Sequence, residues 1–169
     1  MRLFIAINFD SETKSKIIDV QNKLREIAAG RFTRPENLHL TIFFLGEVED
    51  YRAILPCMKK NFTEEIELCF SGVGSFRSNL YWIGIKENPA LNRLYRNLCA
   101  DLDKYGFKTD AKEIFKPHVT LAREVSVNKD KVNISFDEFK MSANRLSLMK
   151  SERINGKLTY TEIYGVSVK

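Results

Sequence analysis

The spacing of apolar positions along this chain changes several times, and each change marks an element. "RLFIAINF" at the start is a near-continuous apolar run that predicts a strand. Asp10 or Ser11 can then cap a helix through Ala29, with Ile17, Val20, Leu24, Ile27 and Ala28 on one face and Gly30 as its stop. "RPENLH" reads as a turn into a strand from His39 to Leu45, ended by Gly46. A second helix is expected from Glu49 to Lys60, kinked or shortened by Pro56. "EIELCFSG" and "LYWIGI" predict two strands across the polar turn "RSN". Asn88 caps a third helix that starts on Pro89 and closes at Tyr105–Gly106, with Leu91, Leu94, Tyr95, Leu98, Leu102 and Tyr105 at helical spacing. A strand from Val119 to Arg123 follows. "NRLSLMKSE" and "KLTYTEIYGVSVK" then alternate as two more strands across "RINGK", where Asn155-Gly156 signals a hairpin.

The order of these elements carries a weak internal repeat of about 80 residues, which predicts two similar lobes. Mostly antiparallel sheets with helices on one side make this an α+β, or mixed α/β, fold. At 169 residues the chain fits one two-lobed domain spanning residues 1–169, and 44% hydrophobic with 29% charged residues is the balance of a globular protein. No apolar run approaches the roughly 20 residues that span a bilayer. The apolar stretch after Arg2 is too short for a signal peptide and lacks a small-residue cleavage site, so a cytoplasmic location and no membrane association are expected. Three dispersed cysteines, Cys57, Cys69 and Cys99, with no CxxC pair argue against a disulfide framework or a zinc site. A net charge of +5 and a pI near 9.1 favour a polyanionic partner such as nucleic acid.

The chain has only two histidines, and both stand in the same frame: His39-Leu-Thr41-Ile and His118-Val-Thr120-Leu. Residues i and i+2 of a strand share a face, so each strand presents an imidazole beside a hydroxyl while Leu40, Ile42, Val119 and Leu121 point into a core. With eight threonines in the chain, both histidines meeting one at i+2 by accident is on the order of a few in a thousand, before allowing for the many patterns open to inspection. A single His-x-Thr is more often an ordinary strand residue; the duplication carries the weight. Two imidazoles suit a phosphodiester, since one can take a proton from the attacking oxygen while the other protonates the leaving alkoxide. Threonine hydroxyls can donate to the phosphoryl oxygens where charge builds up. This chemistry needs no metal and no other cofactor.

With these residues the chain resembles the 2H phosphoesterases, and within them the RNA 2',3'-cyclic phosphodiesterases historically called 2'-5' RNA ligases. The resemblance rests on "RLFIAI", "RPENLHLTIFFLGEV", "GVGSFRSNLYWIGI" with its Trp-x-Gly, "FKPHVTLAREV" and the closing "SLMKSERINGKLTYTEIYGVSV". It implies a bilobal fold with a pseudo-twofold axis through a central groove and metal-independent hydrolysis of a terminal 2',3'-cyclic phosphate to a 2'-phosphate. By that analogy His39 is the proton donor to the departing O3', His118 the proton acceptor from water, and Thr41 and Thr120 hold the phosphoryl oxygens. Arg123 is expected to neutralise phosphate, although strict alternation puts it on the face opposite His118 unless the strand bends or ends at Ala122; an ion pair is the alternative. Lys116 adds positive field at the rim. Phe9, Tyr81 and Trp82 are candidate platforms for a stacked base, each with the core as the favoured location, and Ser151 is a further groove candidate. The substrates are RNA ends or small cyclic nucleotides, and the protein is expected to act as a monomer. Cleavage or reversible ligation of 2'-5' linkages and non-catalytic binding of RNA ends are the rival readings.

Overall fold

The computed structural model describes residues 1–108 and 114–168. The opening run forms β1 (Arg2–Asn8), whose apolar pattern is continuous because both of its faces are covered. Leu3, Ile5 and Ile7 enter the main core, while Phe4 and Ala6 form a smaller cluster with Met149, against which Tyr160 packs. The Asp10 carboxylate caps α1 (Ser11–Arg25), accepting from the Thr13 N–H at 2.8 Å. The helix ends at Arg25 rather than Ala29, and Ile27 is exposed, because the next residues form β2 (Ala29–Phe32), an edge strand of a sheet. Gly30 is therefore no helix stop. A Cβ there would lie 3.1 Å from the Arg123 carbonyl oxygen, so glycine permits close approach of two strands.

A 3-10 turn at Pro35–Asn37 leads into β3 (His39–Glu47). The second helix, α2 (Ile54–Asn61), starts later than Glu49 and holds Pro56 in its first turn, where a missing N–H removes no helical bond. The hairpin of β4 (Ile66–Phe76) and β5 (Leu80–Ile85) turns through Arg77 and Ser78, both at positive φ. Asn88 caps α3 (Pro89–Asp103) through the Leu91 N–H at 2.9 Å. Leu91, Leu94, Leu98 and Leu102 are buried, whereas Tyr105 lies beyond the helix end and is exposed. The remaining strands are β6 (His118–Ser126), β7 (Phe139–Ala143), β8 (Arg145–Ile154) and β9 (Lys157–Ser167). β7 escapes the sequence reading because its alternation lasts only five residues. Asn155 and Gly156, at φ of 50° and 76°, make the expected β8–β9 turn.

The strands build two sheets, ordered β3-β1-β8-β9 and β2-β6-β5-β4-β7, with every neighbouring pair antiparallel. α1 follows a strand of the first sheet yet packs on β6 and β7 of the second; α3 follows a strand of the second yet packs on β3 of the first, beside α2. One buried apolar cluster consequently runs through both sheets. The fold is α+β, and the two histidine strands, β3 and β6, touch where the sheets meet. Among the described residues the cysteines form no disulfide, and no helix is long and apolar enough to cross a membrane.

Candidate active site

His39 and His118 each open their strand, and each is held in the same way. The Nδ1–H of His39 donates to the Asn37 carbonyl at 2.7 Å, and that of His118 donates to the Lys116 carbonyl at 2.8 Å. A carbonyl can only accept, so each neutral ring carries its proton on Nδ1 and leaves Nε2 as the accepting nitrogen. The Nε2 of His39 accepts from the Thr41 hydroxyl at 2.8 Å. The Thr120 backbone carbonyl accepts from the Thr33 hydroxyl at 2.9 Å. Asn37 is itself anchored, since its side-chain amide donates to the Leu158 carbonyl at 3.0 Å. The "RPENLH" turn thus ties the first histidine to β9.

Two aromatic rings bracket each imidazole. Phe4 and Tyr160 lie 5.0 and 5.2 Å from His39; Phe76 and Trp82 lie 4.9 and 6.2 Å from His118. Burial pushes the proton affinity of both imidazoles below the ordinary 6.5, and the Arg123 cation lowers both further. His118 and Lys14 add to the effect on His39, and Lys116 to that on His118, while the Nδ1 bonds oppose it. The Arg123 charge acts on both rings, and that of His118 on His39, so these groups lie within electrostatic reach of one another. Among the described residues no group of three His, Cys, Asp or Glu side chains could hold a metal ion.

Arg123 reaches this site through a β-bulge. In β6, Thr120 pairs with Trp82 and Ala122 with Tyr81, so Leu121 is extra and both Leu121 and Ala122 are buried. The phase of the strand shifts by one residue, and Arg123 returns to the face of His118 and Thr120. Alternation alone placed it on the opposite face, and no carboxylate pairs with it among the described residues. β3 carries the same device at the same position: Thr41 pairs with Ala6 and Phe43 with Ile5, and Ile42 is the extra residue. Phe44, five places after His39, therefore emerges opposite Phe4 on the His39 face and is 69% exposed. Phe44 is thus the pseudo-symmetric counterpart of Arg123. Sequence reading missed Phe44 and Lys14, and only the matching spacing from each histidine hinted at the first.

The three aromatic expectations separate. Phe9, 7% exposed, packs on Phe70 in the core, and Tyr81, 4% exposed, faces the core from β5. Neither offers a ring to a base: Phe9 is held against Phe70 just beyond β1, and Tyr81 and Ile83 of β5 point inward. Trp82 lies on the other face, with Lys116 Nζ 4.7 Å above its ring. The Trp-x-Gly pattern is steric: a Cβ on Gly84 would be 3.3 Å from the indole, and one on Gly74 only 2.3 Å from it. Gly74→Ala is expected to displace the single tryptophan and to lower stability by about 1–3 kcal/mol, as overpacking does. Thermal unfolding with intrinsic fluorescence checks this; an unchanged midpoint and emission spectrum would refute the steric account. Ser151 is half-buried opposite Tyr160, in line with Met149 on the groove side of β8.

The model of a protein family described as the 2'-5' RNA ligase superfamily matches residues 13–155. An RNA 2',3'-cyclic phosphodiesterase of Archaeoglobus fulgidus is 33% identical over 140 residues, covering 79% of this chain and 78% of that protein. One of Thermotoga maritima, with the same name, is 30% identical over 165 residues, covering 89% and 87%. The crystal structure of Escherichia coli LigT complexed with 3'-AMP superposes with a TM-score of 0.82 at 26% identity, over 99% of this chain and 96% of that one. From the paired motifs, the two-sheet fold and these matches, the chain belongs to the 2'-5' RNA ligase superfamily.

Proposed function

We propose that this protein hydrolyses the terminal 2',3'-cyclic phosphate of RNA to a 2'-phosphate, with its two imidazoles as acid and base. The observation that carries the reading is the matched pair of Nδ1-anchored histidines on touching strands, both within the field of Arg123. The names of the relatives agree with it. Nε2 of neutral His118 takes a proton from water, whose oxygen attacks phosphorus. The P–O3' bond breaks, and O3' takes the proton from Nε2 of cationic His39. The product is a 2'-phosphate and a free 3'-hydroxyl, and exchange with solvent restores the two rings. Thr120, Arg123 and Thr41, once released by protonated His39, donate to the non-bridging oxygens. The exposed Phe44 and the half-buried Trp82 offer rings on which a base can stack.

Because the core cluster is shared and each sheet supplies one imidazole, we read residues 1–169 as one two-lobed unit, sufficient as a monomer. Three cysteines without a disulfide suit a reducing cytoplasm. Joining a 5'-hydroxyl to the cyclic end would use the same groups with the hydroxyl in place of water, and the abundance of water favours hydrolysis.

The decisive experiment incubates the protein, with EDTA, with an oligonucleotide ending in a 2',3'-cyclic phosphate and identifies the product isomer. A 2'-phosphate is expected. A 3'-phosphate would reverse the bond that breaks, unchanged RNA would leave a binder, and dependence on added divalent metal would exclude the two-histidine scheme. The pH profile of kcat/KM should be bell-shaped, since one ring must be neutral and the other charged. Both rings bind protons less readily than free imidazole, so the optimum should fall below about 6.5. The anionic phosphate favours the charged form of either ring, so the profile of kcat should move to higher pH.

A further inference from the structure

A cleft of about 830 Å³ opens beside His118, between the start of α3 and the segment that leads into β6. Its size falls in the range of small-molecule sites, about 300–1,000 Å³. Trp82 and Lys116 line it and also border the imidazole, so cleft and catalytic groove are continuous. The far wall is fixed, because Phe115 stacks on Tyr95 of α3 with ring centroids 4.0 Å apart and planes within 9°. Four cations, Lys86, Arg93, Arg96 and Lys116, face a single carboxylate, Glu87, in its lining. Arg96 and Lys116 have no carboxylate partner among the described residues, and the bonds of Lys86 to Glu138 and Arg93 to Glu64 join exposed side chains. Exposed pairs hold weakly and can re-form on another anion.

We propose that this cleft binds the backbone phosphates of the single-stranded RNA immediately 5' of the cyclic end, making an oligonucleotide a better substrate than a cyclic mononucleotide. The inference rests on the proposed function. The reacting nucleotide occupies the groove between the histidines; the strand preceding it crosses Trp82 and Lys116 and lays its phosphates along Arg93 and Arg96. Recognition is by charge, without base-edge contacts, so it is blind to sequence and sensitive to salt.

The test compares kcat/KM for 2',3'-cyclic AMP and for a tetranucleotide ending in a 2',3'-cyclic phosphate, in the parent protein, in Arg93→Ala/Arg96→Ala and in Glu87→Gln. The parent should prefer the tetranucleotide by roughly tenfold or more at low salt, with the preference fading as salt rises. The double variant should lose most of this preference, with the logarithmic salt slope reduced by about 1.4 for two lost single-strand contacts. Glu87→Gln, which removes the lone carboxylate, should raise it. Equal use of both substrates by the parent, or an equal fall on both in the double variant, overturns the inference, as does a preference that survives the double substitution. Should neither substrate turn over, the proposed function fails by itself. Anisotropy titration with a labelled tetranucleotide 3'-phosphate then still reads the cleft: weaker, less salt-dependent binding by the double variant upholds it, and unchanged binding rejects it.

Discussion

Replacing His118 or His39 with alanine is expected to slow hydrolysis of the cyclic phosphate by about 10²–10⁴-fold, the range for loss of a positioned acid or base. The Asn37 and Lys116 carbonyls hold Nδ1 of the two rings, so the proposed proton transfers run through Nε2. Asparagine, which can bond through its amide but cannot exchange a proton near neutrality, should be almost as damaging as alanine. The loss should lie in kcat, with little change in KM, since the proton transfers belong to the transition state. The double variant should be hardly slower than either single one, because each proton transfer is useless without the other. Single-turnover kinetics with a cyclic-phosphate oligonucleotide separates binding from chemistry. A variant that binds poorly but reacts at the parental rate would make the imidazoles ligands and not acid and base.

Arg123→Ala carries the next largest expected effect, a fall of about 10²–10³ in kcat, comparable with removal of one donor to a developing oxyanion. A second consequence has a defined sign. The Arg123 cation disfavours the charged form of both imidazoles, so its removal raises both proton affinities. Both limbs of the bell-shaped profile should then move to higher pH together. Arg123→Lys keeps the charge but not the planar fork, and should restore the position of the profile more fully than the rate. A profile that stays put in Arg123→Ala would mean that the bulge does not aim this side chain at the pair.

The same bulge shows why parts of the site were hidden from sequence reading. Alternation is a local rule, and it held for His39 and Thr41 and for His118 and Thr120, with Leu40, Ile42, Val119 and Leu121 buried behind them. It failed one residue later, at Phe43 and Ala122, because an inserted residue changes strand phase only by virtue of the partner it skips. That partner is β1 in one sheet and β5 in the other. For Phe9 and Tyr81 the sequence leaves groove and core both open, for a related reason. A strand rich in aromatic residues looks alike on both faces until its neighbours assign one of them to the core. The start of β2 looks like the end of a helix because Ala29 and Gly30 carry little preference of their own, and an edge pairing with β6 decides the matter.

The residues alone determined the two motifs: two imidazoles, each two places before a hydroxyl on a strand, are written in the chain and need only local geometry. They also set the three helices and the hairpins at Arg77–Asn79 and Asn155-Gly156, because helical period, caps and left-handed turns act over a few residues. Only the tertiary structure decided that the two motifs meet, that Arg123 faces them and that a basic cleft adjoins one of them. Those facts depend on contacts between segments far apart in sequence, such as those of β3 with β6, which the local preference of neither strand specifies.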